Sequence, residues 1–319
     1  MTDLVFDIGG TTWRAGVWDG TKVVRREERA ARLLTGTGDP VSGLVQGLED
    51  LGRAVLGEGA TPGRVGIAFP GPVDERGQVQ AAPTLWGEAL GEPVPLGERV
   101  SQAFRDAPAA VANDLTAAGY RYLRGSEDYA LVTVSSGIGN KVFSNGRPLL
   151  GPKHRGGEIG HWQVEESLDA PSCDCGGRGH LGAVASGRAT PWAFQRAVAE
   201  SPELLRDSPL GRTGAPPSNE QLAEAYRAGD SLAAQIVGIG ARALGSALAA
   251  LHVGVGVERF VIIGGFARAL GPNYLRSLGR AAAERSWGDG EEWESRIEAG
   301  EPDDDSGLIG MGRLLDANA

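Results

Sequence analysis

The chain is short of cysteine, of positive charge and of long apolar stretches, and each shortage removes a class of protein. Only two cysteines occur, Cys173 and Cys175, one residue apart. A bridge across so short a span is strained, and no third cysteine exists to pair with either. A reducing compartment is the natural setting, which excludes disulfide-stapled secreted scaffolds. No uninterrupted apolar run approaches the roughly 18 residues that cross a bilayer. Residues 1–7 carry no basic-then-apolar export signal. Together these absences predict a cytoplasmic protein with no membrane partner. Positive charge is scarce as well: 31 Lys and Arg stand against 41 Asp and Glu, a net charge of −10. Phosphate backbones would be repelled over most of such a surface, so no nucleic-acid partner is expected.

With 319 residues, 41% of them apolar and 23% charged, the chain is an ordinary globular one. It is long enough for two core-forming lobes. Residues 4–7 read as a short buried strand, Gly9 and Gly10 turn it, and residues 13–18 return as the second arm of a hairpin. Val41, Leu44, Leu48, Leu51 and Val55 recur at helical spacing. Residues 64–69 and 108–112 read as strands and 115–123 as a helix. The pattern then restarts: 129–135 is rich in strand formers, Gly137 and Gly139 turn it, and 141–144 returns. Two such units point to an internal duplication with a nucleotide cleft between the halves. Beyond them, 151–182 reads as loop and 204–219 as a connector. One long alanine-rich helix is predicted over about 220–252, a strand over 259–263 and a closing helix over 308–315. The acidic stretch 289–305 reads as a solvated surface segment.

Several motifs carry chemistry. In Asp7-Ile8-Gly9-Gly10-Thr11-Thr12 the glycines let backbone N–H groups approach phosphate oxygens, and the threonines add hydroxyl donors. Asp7 is placed to hold Mg²⁺ directly or through water; a plain hairpin turn is the competing reading. Ser135-Ser136-Gly137-Ile138-Gly139 repeats the same logic at the second turn. Asn113-Asp114 ends a strand and opens a helix, so the carboxylate serves either as a general base or as a helix cap. In Gly157-Glu158-Ile159-Gly160-His161 the Glu and His share a helical face. Glu158 suits two sugar hydroxyls, and His161 suits sugar, metal or both. Cys173-Asp174-Cys175 with His180 and His161 makes a Cys₂His₂ set suited to Zn²⁺; two buried free thiols are the bland alternative. Gly264-Gly265 after a strand lets a nucleotide base or ribose approach the backbone.

In this order the motifs resemble the ROK sugar kinases (repressors, open reading frames and kinases). The resemblance runs through residues 7–12, 66–72, Asn113-Asp114, the second glycine turn and Gly157-Glu158-Ile159-Gly160-His161. It continues through Cys173-Asp174-Cys175-Gly176-Gly177, Ala185-Ser186-Gly187, Gly264-Gly265 and Gly307-Leu308-Ile309-Gly310. It implies an α/β, two-lobed actin-like ATPase (ribonuclease-H-like) fold with an interlobe active-site cleft. A small lobe of residues 1–112, completed by a helix at 305–319, would precede a large lobe of 113–304 carrying the zinc loop. It further implies ATP and Mg²⁺ bound through Asp7, Gly9, Gly10, Thr11, Thr12, Ser136, Gly137, Gly264 and Gly265. Asp114 would be the base that deprotonates a hydroxymethyl group. Asn113, Glu158, His161, Gly71 and Thr84 would bind the sugar, and His161, Cys173, Cys175 and His180 a structural Zn²⁺. Family members are commonly dimers or tetramers, so a homo-oligomer is implied too.

Departures from the family pattern bear on the acceptor. His180 stands for the third family cysteine, and imidazole can replace thiolate at zinc. The family's Cys-Leu-Glu is His180-Leu181-Gly182, so a carboxylate that contacts the anomeric end of glucose is missing. Thr84, in Pro83-Thr84-Leu85, replaces the usual Asn, and Ser135-Ser136 replaces Gly-Thr. A site that loses such a partner loses discrimination for the hydroxyl it bound. The expected acceptor is therefore altered at C1 and C2 and keeps its hydroxymethyl end. In this the chain is similar to the C7-cyclitol kinases of the family, with glucose, an N-acylhexosamine or fructose as alternative acceptors. A different class, a non-catalytic sugar-sensing ROK protein or repressor, would be expected to carry a helix-turn-helix ahead of Asp7 or to lose Asp7 or Asp114.

Overall fold

Short buried strands joined by glycine turns build two sheets, each with its own core. The computed structural model describes residues 2–31, 39–82, 84–86, 91–151, 154, 156–287 and 292–318. Pro83, Lys153, residues 289–291 of the acidic stretch and both terminal residues lie outside the described residues.

The chain begins with β1 (Asp3–Ile8), β2 (Thr12–Trp18), β3 (Val23–Ala30), α1 (Pro40–Leu56), β4 (Val65–Phe69) and α2 (Leu96–Ala103). It continues through β5 (Ala109–Asn113), α3 (Asp114–Tyr122), β6 (Tyr129–Val134), β7 (Ile138–Ser144) and β8 (Arg147–Pro148). Next come α4 (Leu181–Ala185), α5 (Thr190–Glu200), α6 (Pro202–Asp207), α7 (Asn219–Arg227) and α8 (Ser231–Val255). The last elements are β9 (Arg259–Ile263), α9 (Gly265–Leu270), α10 (Pro272–Ala283), α11 (Trp293–Arg296), β10 (Ile297–Ala299) and α12 (Ser306–Ala317).

Two compact units result, residues 1–123 with 150–156 and 303–319, and residues 124–149 with 157–302. In the first the strand order is β3-β2-β1-β4-β5, with β1 antiparallel to β2 and parallel to β4. Leu4, Phe6, Val65, Ile67 and Phe69 pack against Leu44, Leu48 and Leu51 of α1. That helix begins where Asp39 accepts a hydrogen bond from Ser42 N–H at 2.8 Å, and it stops at Gly57 (φ 94°). On the other face α12 packs against α3, so α3 belongs with this unit. The approach is close: a β-carbon added at Gly310 would fall 1.9 Å from the Ala117 carbonyl oxygen. Arg64 ties α12 to the sheet, with contacts of 2.6 Å to both Asp3 and Asp316.

The second unit repeats the plan. Its order is β10-β9-β6-β7-β8, again an antiparallel hairpin flanked by a parallel strand pair. The matching layouts give the two strand–turn–strand units of the sequence a structural counterpart. The core sets Val132, Val134, Phe260 and Ile262 against the helices, above all Leu232, Ile236, Leu244 and Leu248 of α8. That helix is long and apolar enough to cross a membrane by length and composition, and half of its apolar window is buried in this core.

Three expectations need correction. The single helix predicted over 220–252 is two, α7 and α8. Gly229 takes a positive φ of 83°, and the Asp230 side chain caps the second helix by accepting from Ala233 N–H at 2.8 Å. The connector at 204–219 holds part of α6 and a 3₁₀ turn over Pro209–Thr213. The acidic 289–305 stretch is not all solvated: Trp293 is 2% exposed and Ile297 7%, because α11 and β10 pack onto the second core. The charged strand β3 went unread, since an exposed edge strand shows no alternation of apolar residues.

Candidate active site and metal centre

In the first unit the parallel register brings chemistry to one sheet edge. Asp7 of β1 lies beside Ala68 of β4, and Ala68 and Phe69 lie beside Ala112 and Asn113 of β5. Asp7 and Asp114 thus emerge at the carboxyl ends of β1 and β5, the two parallel strands that flank β4, where open α/β sheets bind ligands. The two carboxylates feel each other. Burial chiefly, and Asp114 in addition, push the Asp7 carboxyl up from 3.8 to about 6, while Arg14 pulls it down. The Asp7 side chain is 18% exposed, and Arg14 Nη1 stands 3.5 Å from its Oδ2.

The turn after β1 closes with Gly9 N–H donating to the Thr12 carbonyl at 3.0 Å, and the Thr11 carbonyl accepts from Ala31 N–H. Thr84 sits directly on this turn: a β-carbon at Gly10 would lie 2.8 Å from Thr84 Cβ. At Gly71 a β-carbon would fall 2.1 Å from the Ala81 carbonyl oxygen, so glycine there permits the crossing of two backbones. Asn113 works as a cap as well as a site residue. Its Oδ1 accepts from Leu115 and Thr116 N–H, and its Nδ2 reaches the Gly71 carbonyl at 3.3 Å. Asn113 Nδ2 and Leu115 N–H both donate to Asp114 Oδ1 at 2.8 Å, which fixes that carboxylate at the helix start.

In the second unit Ser135 N–H donates to the Gly137 carbonyl, forming the turn between β6 and β7 with Ser136 exposed. Gly264, with φ 105°, lies where a β-carbon would meet the Val134 carbonyl at 2.5 Å, whereas Gly265 fronts open space at the start of α9. Residues 157–161 wrap over the start of β7. β-carbons at Gly157 and Gly160 would strike the Asn140 and Ile138 carbonyl oxygens at 2.4 and 2.0 Å. Glu158 is thereby presented at the surface, 56% exposed, with Oε1 3.2 Å from the buried Lys141 ammonium. Asn140 accepts from Ile159 N–H at 3.1 Å. Gly182 packs on this same turn, its absent β-carbon position 3.2 Å from the Gly160 carbonyl oxygen.

The four proposed zinc ligands converge. One ligand atom each from His161, Cys173, Cys175 and His180 lies within 4.8 Å of every other. Cys173 Sγ is 3.7 Å from His161 Nδ1, and Cys175 Sγ is 3.3 Å from His180 Nδ1. A tetrahedral Zn²⁺ with ordinary Zn–S and Zn–N bonds sets sulfur and nitrogen about 3.5 Å apart. The donor set and its spacing therefore fit the ion. Cys173 N–H to the Gly177 carbonyl and Gly176 N–H to the Cys173 carbonyl hold the loop in shape. Without metal, burial chiefly pushes the Cys173 thiol up.

Two site residues escaped the sequence reading. Arg14 is the cross-strand partner of Asp7 in the β1–β2 hairpin, a register the Gly9-Gly10 turn already dictates. Lys141 is one of three lysines and sits in an otherwise buried strand, the available sign of a buried ion pair.

A model of the ROK family matches residues 4–318. This protein belongs to the ROK family. The chain is 39% identical to a C(7)-cyclitol 7-kinase of Streptomyces hygroscopicus subsp. jinggangensis, covering 98% of this chain and 93% of the relative. It is 31% identical to a glucokinase of Aeropyrum pernix over 85% of this chain and 84% of that one. Its fold matches the ROK glucokinase of Streptomyces griseus solved with glucose and AMPPNP, with a TM-score of 0.71 and 26% identity. That match covers 98% of this chain and 99% of the other. The actin-like ATPase fold that the motifs implied is the fold of these neighbours.

Proposed function

We propose that this ROK protein transfers a phosphoryl group from ATP to the hydroxymethyl group of a C7-cyclitol, with Asp114 as general base. Its relatives make it a sugar or cyclitol kinase. The greater identity to the cyclitol kinase, over nearly the full length of both chains, favours the carbocyclic acceptor. The observation that carries the chemistry is the placing of Asp7 and Asp114 at one sheet edge beside a glycine-built turn.

Asp114 takes the proton from the acceptor hydroxyl as the oxygen attacks phosphorus; such a base is worth about 10²–10⁴ in rate. Its orientation is set by the Asn113 amide and the Leu115 N–H. The backbone and hydroxyls of Gly9, Gly10, Thr11 and Thr12, and separately of Ser136 and Gly137, take the nucleotide phosphates. Gly264 and Gly265 leave room for the nucleoside. Asp7 would hold Mg²⁺, which neutralises charge on the phosphates. Glu158 and His161, with Asn113, Gly71 and Thr84, bind the ring hydroxyls. His161, Cys173, Cys175 and His180 would hold a structural zinc that orients the His161 turn. Thiolate ligands of this kind need a reducing setting, so the cytoplasm is the working compartment, and a homodimer or tetramer is part of the same proposal.

Position 182 supports the acceptor assignment: glycine there brings no carboxylate to the turn that presents Glu158. The second reading, a glucokinase, draws on the Aeropyrum pernix relative. The test is turnover with ATP and Mg²⁺ on a valienone-type cyclitol, glucose, N-acetylmannosamine and fructose. The cyclitol should show the highest kcat/KM. Robust glucose turnover with poor cyclitol turnover would replace the acceptor, and no turnover on any would favour a non-catalytic sensor.

A further inference from the structure

The second phosphate turn is stapled from outside by the three residues that follow α4. Ser186 Oγ donates to the Ser136 carbonyl at 2.9 Å and to the Gly182 carbonyl at 2.5 Å. Gly187 N–H donates to the Ser135 carbonyl at 2.8 Å. Arg188 Nε donates to the same Ser136 carbonyl at 2.7 Å. The guanidinium thereby lies beside the turn: a β-carbon at Gly137 would stand 3.3 Å from Arg188 Nη2. Its Nη1 is ion-paired with Asp174, the residue between Cys173 and Cys175. Both partners face water, with the Arg188 side chain 51% exposed and that of Asp174 75%.

Structural duty does not account for this arrangement. The Ser186 and Gly187 contacts already hold the turn, and an exposed ion pair adds little stability. A guanidinium with its Nε edge anchored to a carbonyl has its plane fixed, and its remaining N–H groups form a fork suited to carboxylate or phosphate oxygens. We propose that Arg188 is a nucleotide-binding residue whose fork takes a phosphate oxygen of the bound nucleotide, and that Asp174 is the anion that occupies the fork when no nucleotide is present. The proposal rests on the kinase reading above. It adds a cation to a turn otherwise made of backbone and hydroxyl donors, in a chain whose net charge of −10 works against ATP. A phosphate carries more charge than a carboxylate and accepts the same paired hydrogen bonds, so the exchange favours the nucleotide.

The test measures ADP binding, by calorimetry in the presence of Mg²⁺, to the zinc-replete parent and to Arg188→Met, Arg188→Lys and Asp174→Asn. Cyclitol affinity, zinc content and melting temperature are followed alongside. Arg188→Met should weaken ADP about ten- to hundredfold, the worth of a contact to a charged group, with the other three readouts unchanged. Arg188→Lys should recover part of the loss, since it keeps the charge and loses the fork. Asp174→Asn should bind ADP more tightly than the parent, because it removes the competitor. Parent-like ADP affinity in Arg188→Met would overturn the assignment, and unchanged or weaker affinity in Asp174→Asn would overturn the role of Asp174. A parent that binds no ADP at all would instead strike the kinase reading, a separate result.

Discussion

The Arg14 guanidinium stands 3.5 Å from the Asp7 carboxylate, and Asp7 nevertheless holds its proton up to about pH 6. Burial outweighs the nearby cation, and the Asp114 charge works in the same direction as burial. The native carboxyl therefore binds its proton more tightly than the unfolded one. Its contribution to stability is fully present below about pH 4 and is lost as pH rises through about 6. In metal-free buffer the shift amounts to on the order of 2–3 kcal/mol. Asp7→Asn should remove this slope, so its melting temperature should gain on the parent's between pH 4 and pH 7. Parallel melting curves across that range would show that Asp7 is not held neutral. Arg14→Met should carry the titration of Asp7 to still higher pH.

Asp114→Asn preserves the shape of the helix start and takes away the base. ADP and cyclitol affinities should stay within about threefold of the parent, while kcat falls by about 10²–10⁴. Parent-like turnover would mean that the proton leaves by another route.

Gly310 lets α12 meet α3 with almost no space between the backbones. Gly310→Ala drives a methyl group into the Ala117 carbonyl and should cost about 1–3 kcal/mol, read as a lower midpoint in urea. Because α3 begins at Asp114, kcat should fall as well. Gly254→Ala, where nothing lies within 4 Å of the added carbon, is the control and should leave both unchanged.

At the metal centre the Cys173 thiol, pushed up by burial, has to lose its proton when zinc binds. Zinc affinity should therefore fall as pH is lowered, with release by acid or by a strong chelator. Metal analysis should find zinc in stoichiometric amount, and its removal should lower the melting temperature. Full activity and unchanged melting in metal-free protein would remove zinc from the structure's account. Cys175→Ser should weaken zinc retention without altering ADP affinity, since the Ser136 and Ser135 carbonyls keep their hydrogen bonds from Ser186 and Gly187.

How legible the protein was from its sequence depended on how local each signal is. Strand, glycine turn and returning strand lie within about fifteen residues of one another, so both hairpins and the helices α1, α3 and α12 could be read from spacing alone. The motif residues could be named for the same reason, because glycine, hydroxyl and carboxylate chemistry is written in residue type. What tertiary structure decided were relations across long separations. It put α12 on α3, and it buried Trp293 in a stretch whose composition reads as solvated. It paired Lys141 with Glu158 and laid Arg188 beside Gly137, contacts that a charged side chain makes only once distant backbone has fixed where its head group can reach. Residue type thus determined the chemistry on offer, while packing decided which charges meet, since Coulomb attraction falls with distance and only the folded chain sets the distances.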